Sequence, residues 1–150
     1  MTNRKTILPN HYLHDIIIKK YYQKGKINCK GGDVIDIRYR NSKVKKLCTD
    51  YKMARKELNV LVAEKLHSLI NLLESVESLE DIHKMHIYNL HLLHGDREGQ
   101  YALDLGRRLG FRLIIIPLNQ EGKEWEERDI NVIYKSTKIV LVWEVSNHYE

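Results

Sequence analysis

Side chains able to carry out acid-base chemistry on a phosphodiester recur in the second half of this chain. His91 alternates with apolar residues in a short segment, and Arg112 interrupts a strongly apolar run. Two further groups, His148 and Tyr149, lie near the end of the sequence. Imidazole and phenol groups exchange protons and a guanidinium stabilises a developing anion. Side chains of these types could therefore take part in such chemistry.

The reaction that such a set supports without a metal is the cleavage of RNA. It needs a base to take the proton of the 2′-hydroxyl, an acid to protonate the leaving oxygen, and cations to hold the charge that develops on phosphorus. A well-placed acid or base contributes about 10²–10⁴-fold, and a preorganised charge-stabilising donor about 10²–10³-fold. DNA lacks the internal nucleophile, so the same residues would act on RNA alone.

Two of the candidate residues also have an ordinary structural interpretation. His91 could be a surface or core-edge histidine. Arg112 could be held by a structural carboxylate such as Asp104, although a buried cation without such a purpose is costly. Arg112 is for that reason the strongest single candidate.

Two histidine pairs raise the question of a metal site. His83 and His86 are three positions apart, and so are His91 and His94. Side chains at this spacing converge on a helix but point to opposite faces of a strand, and the second pair lies on or beside a predicted strand. Only half a site remains, with no third ligand at a typical spacing. We expect neither a metal nor another cofactor.

Composition indicates an ordinary globular protein. The chain has 150 residues, 43% of them hydrophobic and 30% charged, which suits one domain plus an extension. It contains no apolar run of membrane-spanning length and no apolar segment typical of a secretory signal at its start. We expect a cytoplasmic protein with no membrane partner, and two free thiols at Cys29 and Cys48.

Positive charge is concentrated at the front of the chain. The formal net charge is +5, with +8 on residues 1–50 and −3 on residues 51–150. Such a block suits phosphate contacts or an acidic partner, and a solvated basic surface is the alternative. Within it, Lys43, Lys45 and Lys46 fall on a predicted short helix, where they could contact ribosomal RNA or remain solvated. Arg97 and His94 are further candidates for RNA contacts.

The pattern of apolar residues divides the chain into two regions. Residues 1–33 form a basic extension with a short predicted helix, and residues 34–150 form a domain. Alternation predicts a strand from Val34 to Arg40, and Asn41-Ser42 offers an N-cap for a helix from Lys43 to Cys48. A long helix should follow. Its apolar stripe comprises Leu58, Leu61, Val62, Leu66, Leu69, Leu73 and Val76. Ser78 to Asp81 resembles another helix start.

A run of strands completes the domain. Alternation predicts antiparallel strands over residues 88–92 and 101–105, joined through a turn at residues 95–99. Residues 111–116 predict a central strand closed by Pro117, and residues 130–134 and 139–145 predict the last two strands. The fold class is therefore α+β: a mainly antiparallel, twisted sheet of four to five strands with two to three helices packed on one face, plus the N-terminal helical extension.

One segment is specific enough to resemble a known family. The stretch Leu90-His91-Leu92-Leu93-His94-Gly95-Asp96-Arg97-Glu98-Gly99-Gln100-Tyr101 resembles the strand and turn "H-x-L-K-G-D-R-x-G-x-[FWY]" of the HigB-like, or killer protein, branch of the RelE/ParE toxins. Gly110-Phe111-Arg112-Leu113-Ile114 is similar to that branch's strand with an arginine. Trp143-Glu144-Val145-Ser146-Asn147-His148-Tyr149 is similar to its last strand and terminal Asp-Tyr-His. The resemblance covers roughly residues 34–150.

This resemblance implies the toxin of a type II toxin-antitoxin system, a RelE-like fold, and a ribosome-associated endoribonuclease that cleaves mRNA without a metal and is neutralised by a cognate antitoxin. By position, His91 matches an active-site histidine, Arg112 a phosphate-binding arginine, and Asn147, His148 and Tyr149 the terminal motif. Two departures stand out. His94 replaces the family's lysine, exchanging a fixed cation for one charged part of the time. The terminal motif is reordered, so either His148 or Tyr149 reaches the site, and not necessarily both.

Three other functions stay open at this point. A gyrase-poisoning relative in the same superfamily and an inactive homologue that only binds an antitoxin both fit the altered motif. A basic DNA-binding protein is the third, although no helix-turn-helix spacing is present.

Overall fold

The computed structural model describes residues 34–147, which fold into five strands and five α-helices. The strands are β1 (Asp36–Tyr39), β2 (His91–Leu92), β3 (Tyr101–Asp104), β4 (Phe111–Leu118) and β5 (Ile139–Asn147). The helices are α1 (Ser42–Thr49), α2 (Tyr51–Glu57), α3 (Val60–Leu73), α4 (Leu79–His83) and α5 (Ile130–Ser136). Short 3₁₀ turns occur at His86–Tyr88, Gly95–Arg97 and Arg107–Leu109.

The five strands form one sheet in the order β1-β5-β4-β3-β2. Only the β1–β5 pair within it is parallel, and the other three pairs are antiparallel. The predicted α+β class with a mainly antiparallel sheet of four to five strands is confirmed. The central position predicted for β4 is also confirmed, since six of its eight residues are buried.

The two faces of the sheet differ in what covers them. On one face, Leu103, Leu113 and Val142 pack against the helices in the main core, and all three are fully buried. The other face carries a small second cluster formed by Leu93, Ala102 and Ile114, with Trp143 packed against it. No helix among residues 34–147 belongs to that cluster. We call this second side of the sheet the open face.

Side-chain caps divide residues 42–73 into three helices instead of one short and one long helix. The Oδ1 atoms of Asn41 and Asn59 accept hydrogen bonds from the backbone N–H of Val44 and Val62, each at 2.9 Å. The predicted cap at Asn41 is thus confirmed. The predicted long helix with a buried apolar stripe is confirmed in α3, where Val62, Leu66, Leu69 and Leu73 are fully buried. Leu61, predicted to be buried, is 55% exposed.

Three other local predictions are wrong. Residues 130–134 form helix α5, because Asp129 caps it by accepting from the N–H of Asn131 at 2.9 Å. A five-residue segment with four apolar residues fits either a strand or a helix. Pro117 lies inside β4, opposite Val140, and does not end the strand. The strand predicted over residues 88–92 shrinks to β2, because residues 86–88 form a 3₁₀ turn. With five helices the described domain also has more than the two to three expected.

Cys48 lies in the main core, where burial, with a smaller contribution from Glu74, raises the pKa of its thiol to about 12.

Cys29 and the extension over residues 1–33 lie outside the described residues, so the division into two regions stays a prediction. Within residues 34–147 no helix is both long and apolar enough to cross a bilayer.

Candidate functional site

The sheet brings His91 and Arg112 to the same side. His91 on β2 pairs with Ala102 on β3, and Arg112 on β4 pairs with Asp104. Ala102 and Asp104 are two residues apart on one strand, so all four side chains share the open face. Strand spacing and rise place the Cα atoms of His91 and Arg112 about 12 Å apart. Two long side chains at this separation can contact one bound phosphodiester.

A short hydrogen bond fixes the tautomer of His91. Its Nδ1 lies 2.6 Å from the carbonyl oxygen of Asn89. A carbonyl oxygen only accepts, so Nδ1 carries the hydrogen and donates it. In the neutral ring this leaves Nε2 as an acceptor. His91 is therefore arranged to take up a proton at Nε2.

Asn89 holds this arrangement through an unusual backbone conformation. Its φ of 47° and ψ of 50° lie in the left-handed region, and it is the one non-glycine residue with positive φ in the part of the chain that the structure describes. Asn tolerates this conformation better than most residues. Its Nδ2 also donates to Oδ2 of Asp104 at 3.4 Å. Asn89 thus contacts both His91 and Asp104, a role that sequence analysis did not anticipate.

Arg112 is half-buried and lacks the partners that a guanidinium usually has. Its Nε is buried without a hydrogen-bond partner. Asp104 and Ser146 lie opposite it in the two neighbouring strands. No ion pair joins Arg112 to Asp104 or to any other carboxylate in residues 34–147. A bound anion would supply the missing acceptors, because the guanidinium offers five N–H donors in a planar fork.

Arg97 pairs with two other side chains of the protein. Its Nη2 lies 2.7 Å from Oε2 of Glu144, and its Nη1 donates to Oε1 of Gln100 at 3.0 Å. Glu144 lies opposite Ile114, so this carboxylate sits on the open face. In the free protein, the ion pair neutralises one of the cations that we predicted to contact RNA.

A β-bulge places two consecutive side chains on the open face. The register between β4 and β5 shifts at Ile114/Ile115, leaving Trp143 unpaired between Val142 and Glu144. A regular strand would send Trp143 and Glu144 to opposite faces. Here Trp143 packs with the open-face cluster, and the Cζ of Arg40 lies 4.3 Å from its ring centroid. Sequence alternation alone could not have found this juxtaposition.

Other predicted site residues lie elsewhere. Asn147 pairs with Phe111, which packs against the main core, so Asn147 points to the helix side. The three lysines of α1 (Lys43, Lys45 and Lys46) are exposed on the helix layer, because Val44 and Cys48 form the buried side of α1. His94 is exposed, preceding the 3₁₀ turn at Gly95–Arg97. His148 and Tyr149 lie outside the described residues.

An open cavity of about 610 Å³ borders the site. It shares Asn89 and Asp104 with the open face and is also lined by Lys65, His86 and Arg107. These three basic side chains line the cavity together with one carboxylate, that of Asp104. Among residues 34–147, no three His, Cys, Asp or Glu side chains group closely enough to hold a metal ion.

Comparison with known proteins yields a distant likeness in structure. No protein-family model matches the chain, and no curated protein matches it. The crystal structure of a YafQ mutant from E. coli is similar, with 19% identity and a TM-score of 0.42, over 77% of this chain and 94% of that chain. A likeness at this level assigns neither family nor activity, so the functional argument depends on the geometry of the open face.

Proposed function

We propose that this protein is the toxin of a type II toxin-antitoxin system, similar to the HigB-like branch of the RelE/ParE toxins, and that it cleaves mRNA on the ribosome without a metal. The observation that carries the proposal is the open face. It presents His91 with Nε2 available as a proton acceptor, and Arg112 with no carboxylate partner among residues 34–147.

In the proposed reaction, Nε2 of His91 takes the proton of a 2′-hydroxyl, and the 2′-oxygen attacks the adjacent phosphorus. Arg112 stabilises the negative charge that develops on the non-bridging oxygens. The bond from phosphorus to the 5′-oxygen then breaks, and that oxygen takes a proton. The products are a 2′,3′-cyclic phosphate and a 5′-hydroxyl. We propose that His148 or Tyr149 supplies the second proton.

The proposed partners bind separate surfaces. The open face receives the mRNA strand. The exposed Lys43, Lys45 and Lys46 lie on the helix layer, away from His91 and Arg112, and suit a second contact with ribosomal RNA. Arg97 is tied to the open face by its ion pair with Glu144, and the exposed His94, three residues earlier, is a further proposed RNA contact. A cognate antitoxin is the proposed neutralising partner.

Expression in cells tests the proposal. Inducing the wild-type chain should stop growth and cut transcripts at positions in register with codons. Arg112→Ala should relieve the arrest at equal protein level, whereas Arg55→Ala, an exposed arginine on α2, should not. His91→Gln should lower the cleavage rate by about 10²–10⁴-fold, with His83→Gln on α4 as its control.

Each alternative gives a different result in the same cells. Intact transcripts together with broken chromosomes would indicate a gyrase-poisoning toxin. Normal growth with both molecules intact would indicate a module that only binds an antitoxin. Growth arrest that persists in Arg112→Ala would contradict the role proposed for the open face.

A further inference from the structure

Trp143 packs against a buried apolar cluster, and the guanidinium of Arg40 lies over its ring. Leu93, Ala102 and Ile114, all buried, pack beneath it on the open face. The guanidinium of Arg40 lies 4.3 Å from the ring centroid, and Arg40 is exposed. The backbone of Arg40 is anchored, because its N–H donates to the carbonyl of Val142 at 3.0 Å. Only the side chain of Arg40 has to move for the ring to become available.

The planar guanidinium of Arg40 occupies the position over the tryptophan ring that a stacked nucleobase takes in proteins that bind single strands. Stacking on an aromatic side chain strengthens binding by roughly 5- to 150-fold per base. An exposed cation–π contact corresponds to a factor of only about 2 to 5. A stacked base therefore gains at least as much from the ring as Arg40 does. Arg40 has no ion-pair partner within residues 34–147, so its charge is available for a phosphate.

The position of Trp143 fits a strand that also reaches the candidate catalytic residues. Trp143 lies three residues before Ser146 on β5, and Ser146 pairs with Arg112. This spacing corresponds to about 10 Å along the strand. A short stretch of single-stranded RNA on the open face can therefore contact both Arg112 and Trp143.

We infer that Trp143 is a stacking site for a nucleobase of single-stranded RNA, and that Arg40 leaves the ring to pair with a neighbouring phosphate when the base binds. This inference rests on the proposed function, because it places the base within the same RNA strand. It adds a binding residue that takes no part in proton transfer.

Tryptophan fluorescence provides a test that does not depend on cleavage. The chain has two tryptophans, Trp125 and Trp143, so Trp125→Phe leaves Trp143 as the sole reporter. The probe is a 2′-O-methyl oligonucleotide, whose blocked 2′-oxygen prevents cleavage. Its binding should quench Trp143 saturably, while an abasic oligonucleotide of equal length should bind without quenching. A fully paired RNA duplex should not quench, because its bases are already stacked.

Substitutions separate stacking from charge. Trp143→Ala should weaken binding of the oligonucleotide by about 5- to 150-fold, measured by anisotropy. Trp143→Phe, in which Trp125 remains, should bind without quenching. Arg40→Ala should retain the quenching of Trp143 and should lower the slope of log affinity against log salt by about 0.7. Circular dichroism of each variant verifies that the fold is retained.

Two results would overturn the inference. One is binding of the oligonucleotide with Trp143 fluorescence unchanged, and the other is no binding to the Trp125→Phe protein at all. Neither result disproves the proposed function, which is tested separately by transcript cleavage and by the Arg112→Ala variant in the growth experiment.

Discussion

The ion pair between Arg97 and Glu144 predicts that removing one carboxylate strengthens RNA binding. Glu144→Gln deletes the charge that lies 2.7 Å from the guanidinium of Arg97 and keeps the size of the side chain. The two side chains are 38% and 30% exposed. A pair this accessible to solvent contributes about 1 kcal/mol or less to folding. The variant should therefore fold, with Arg97 free to contact a phosphate.

The expected magnitude follows from counterion release. Each phosphate that a protein neutralises on a single strand changes the slope of log affinity against log salt by about 0.7. Freeing Arg97 adds one such contact, so the slope for Glu144→Gln should be steeper by about 0.7. Between about 50 and 200 mM salt, the variant should lose about 2.5-fold more affinity than the wild type.

Fluorescence anisotropy of a labelled 2′-O-methyl oligonucleotide across a salt series measures this slope. Glu57→Gln is the matched control, since it removes the same charge from an exposed position at the end of α2, on the helix layer. Adding Arg97→Gln to Glu144→Gln should return the slope to the wild-type value. Equal slopes for Glu144→Gln and Glu57→Gln would refute the idea that Glu144 keeps Arg97 from contacting a phosphate of the RNA.

Two further predictions concern the core. The thiol of Cys48 ionises near pH 9.0 in the unfolded chain but only near pH 12 in the fold, because burial raises its pKa, so stability falls as pH rises above 9.0. At one pH unit above 9.0, urea titration should show an unfolding free energy about 1.4 kcal/mol lower than at neutral pH, because of the Cys48 thiol alone. Cys48→Ala should abolish this loss. An unchanged pH dependence of stability in Cys48→Ala would contradict the prediction. Leu69→Ala should cost about 2–5 kcal/mol, because Leu69 is fully buried, whereas Leu61→Ala at 55% exposure should cost about 0.5 kcal/mol or less. Equal losses would contradict the exposed position of Leu61 on α3.

Local patterns explain what the sequence predicted well. Alternating apolar residues predicted β1 and β3, since a half-buried strand repeats every two residues, and dense apolar segments predicted β4 and β5. The cap at Asn41 was predictable because a short polar side chain before a helix meets its free N–H groups. His91 and Arg112 were singled out by residue type and by resemblance. The structure places both on the open face, and their catalytic roles stay predictions.

Features that depend on distant pairing could not be predicted in the same way. The bulge that turns Trp143 and Glu144 to one face depends on the register of β4 against β5, which neither strand specifies alone. The left-handed backbone of Asn89 follows from the turn before β2 and not from a glycine signal. Residues 130–134 form a helix because Asp129 caps them and because Ile130 and Tyr134 pack in the main core.

The position of β5 has a consequence for how the chain is made. β5 lies between β1 and β4, and its partner residues in β1 are about 100 positions earlier in the chain. Until residues 139–147 have been synthesised, β1 has no neighbour and the edge of β4 is bare. Bare strand edges recruit other polypeptides, and contacts between distant segments form slowly. A nascent or truncated chain lacking this segment is therefore the form most exposed to aggregation and proteolysis.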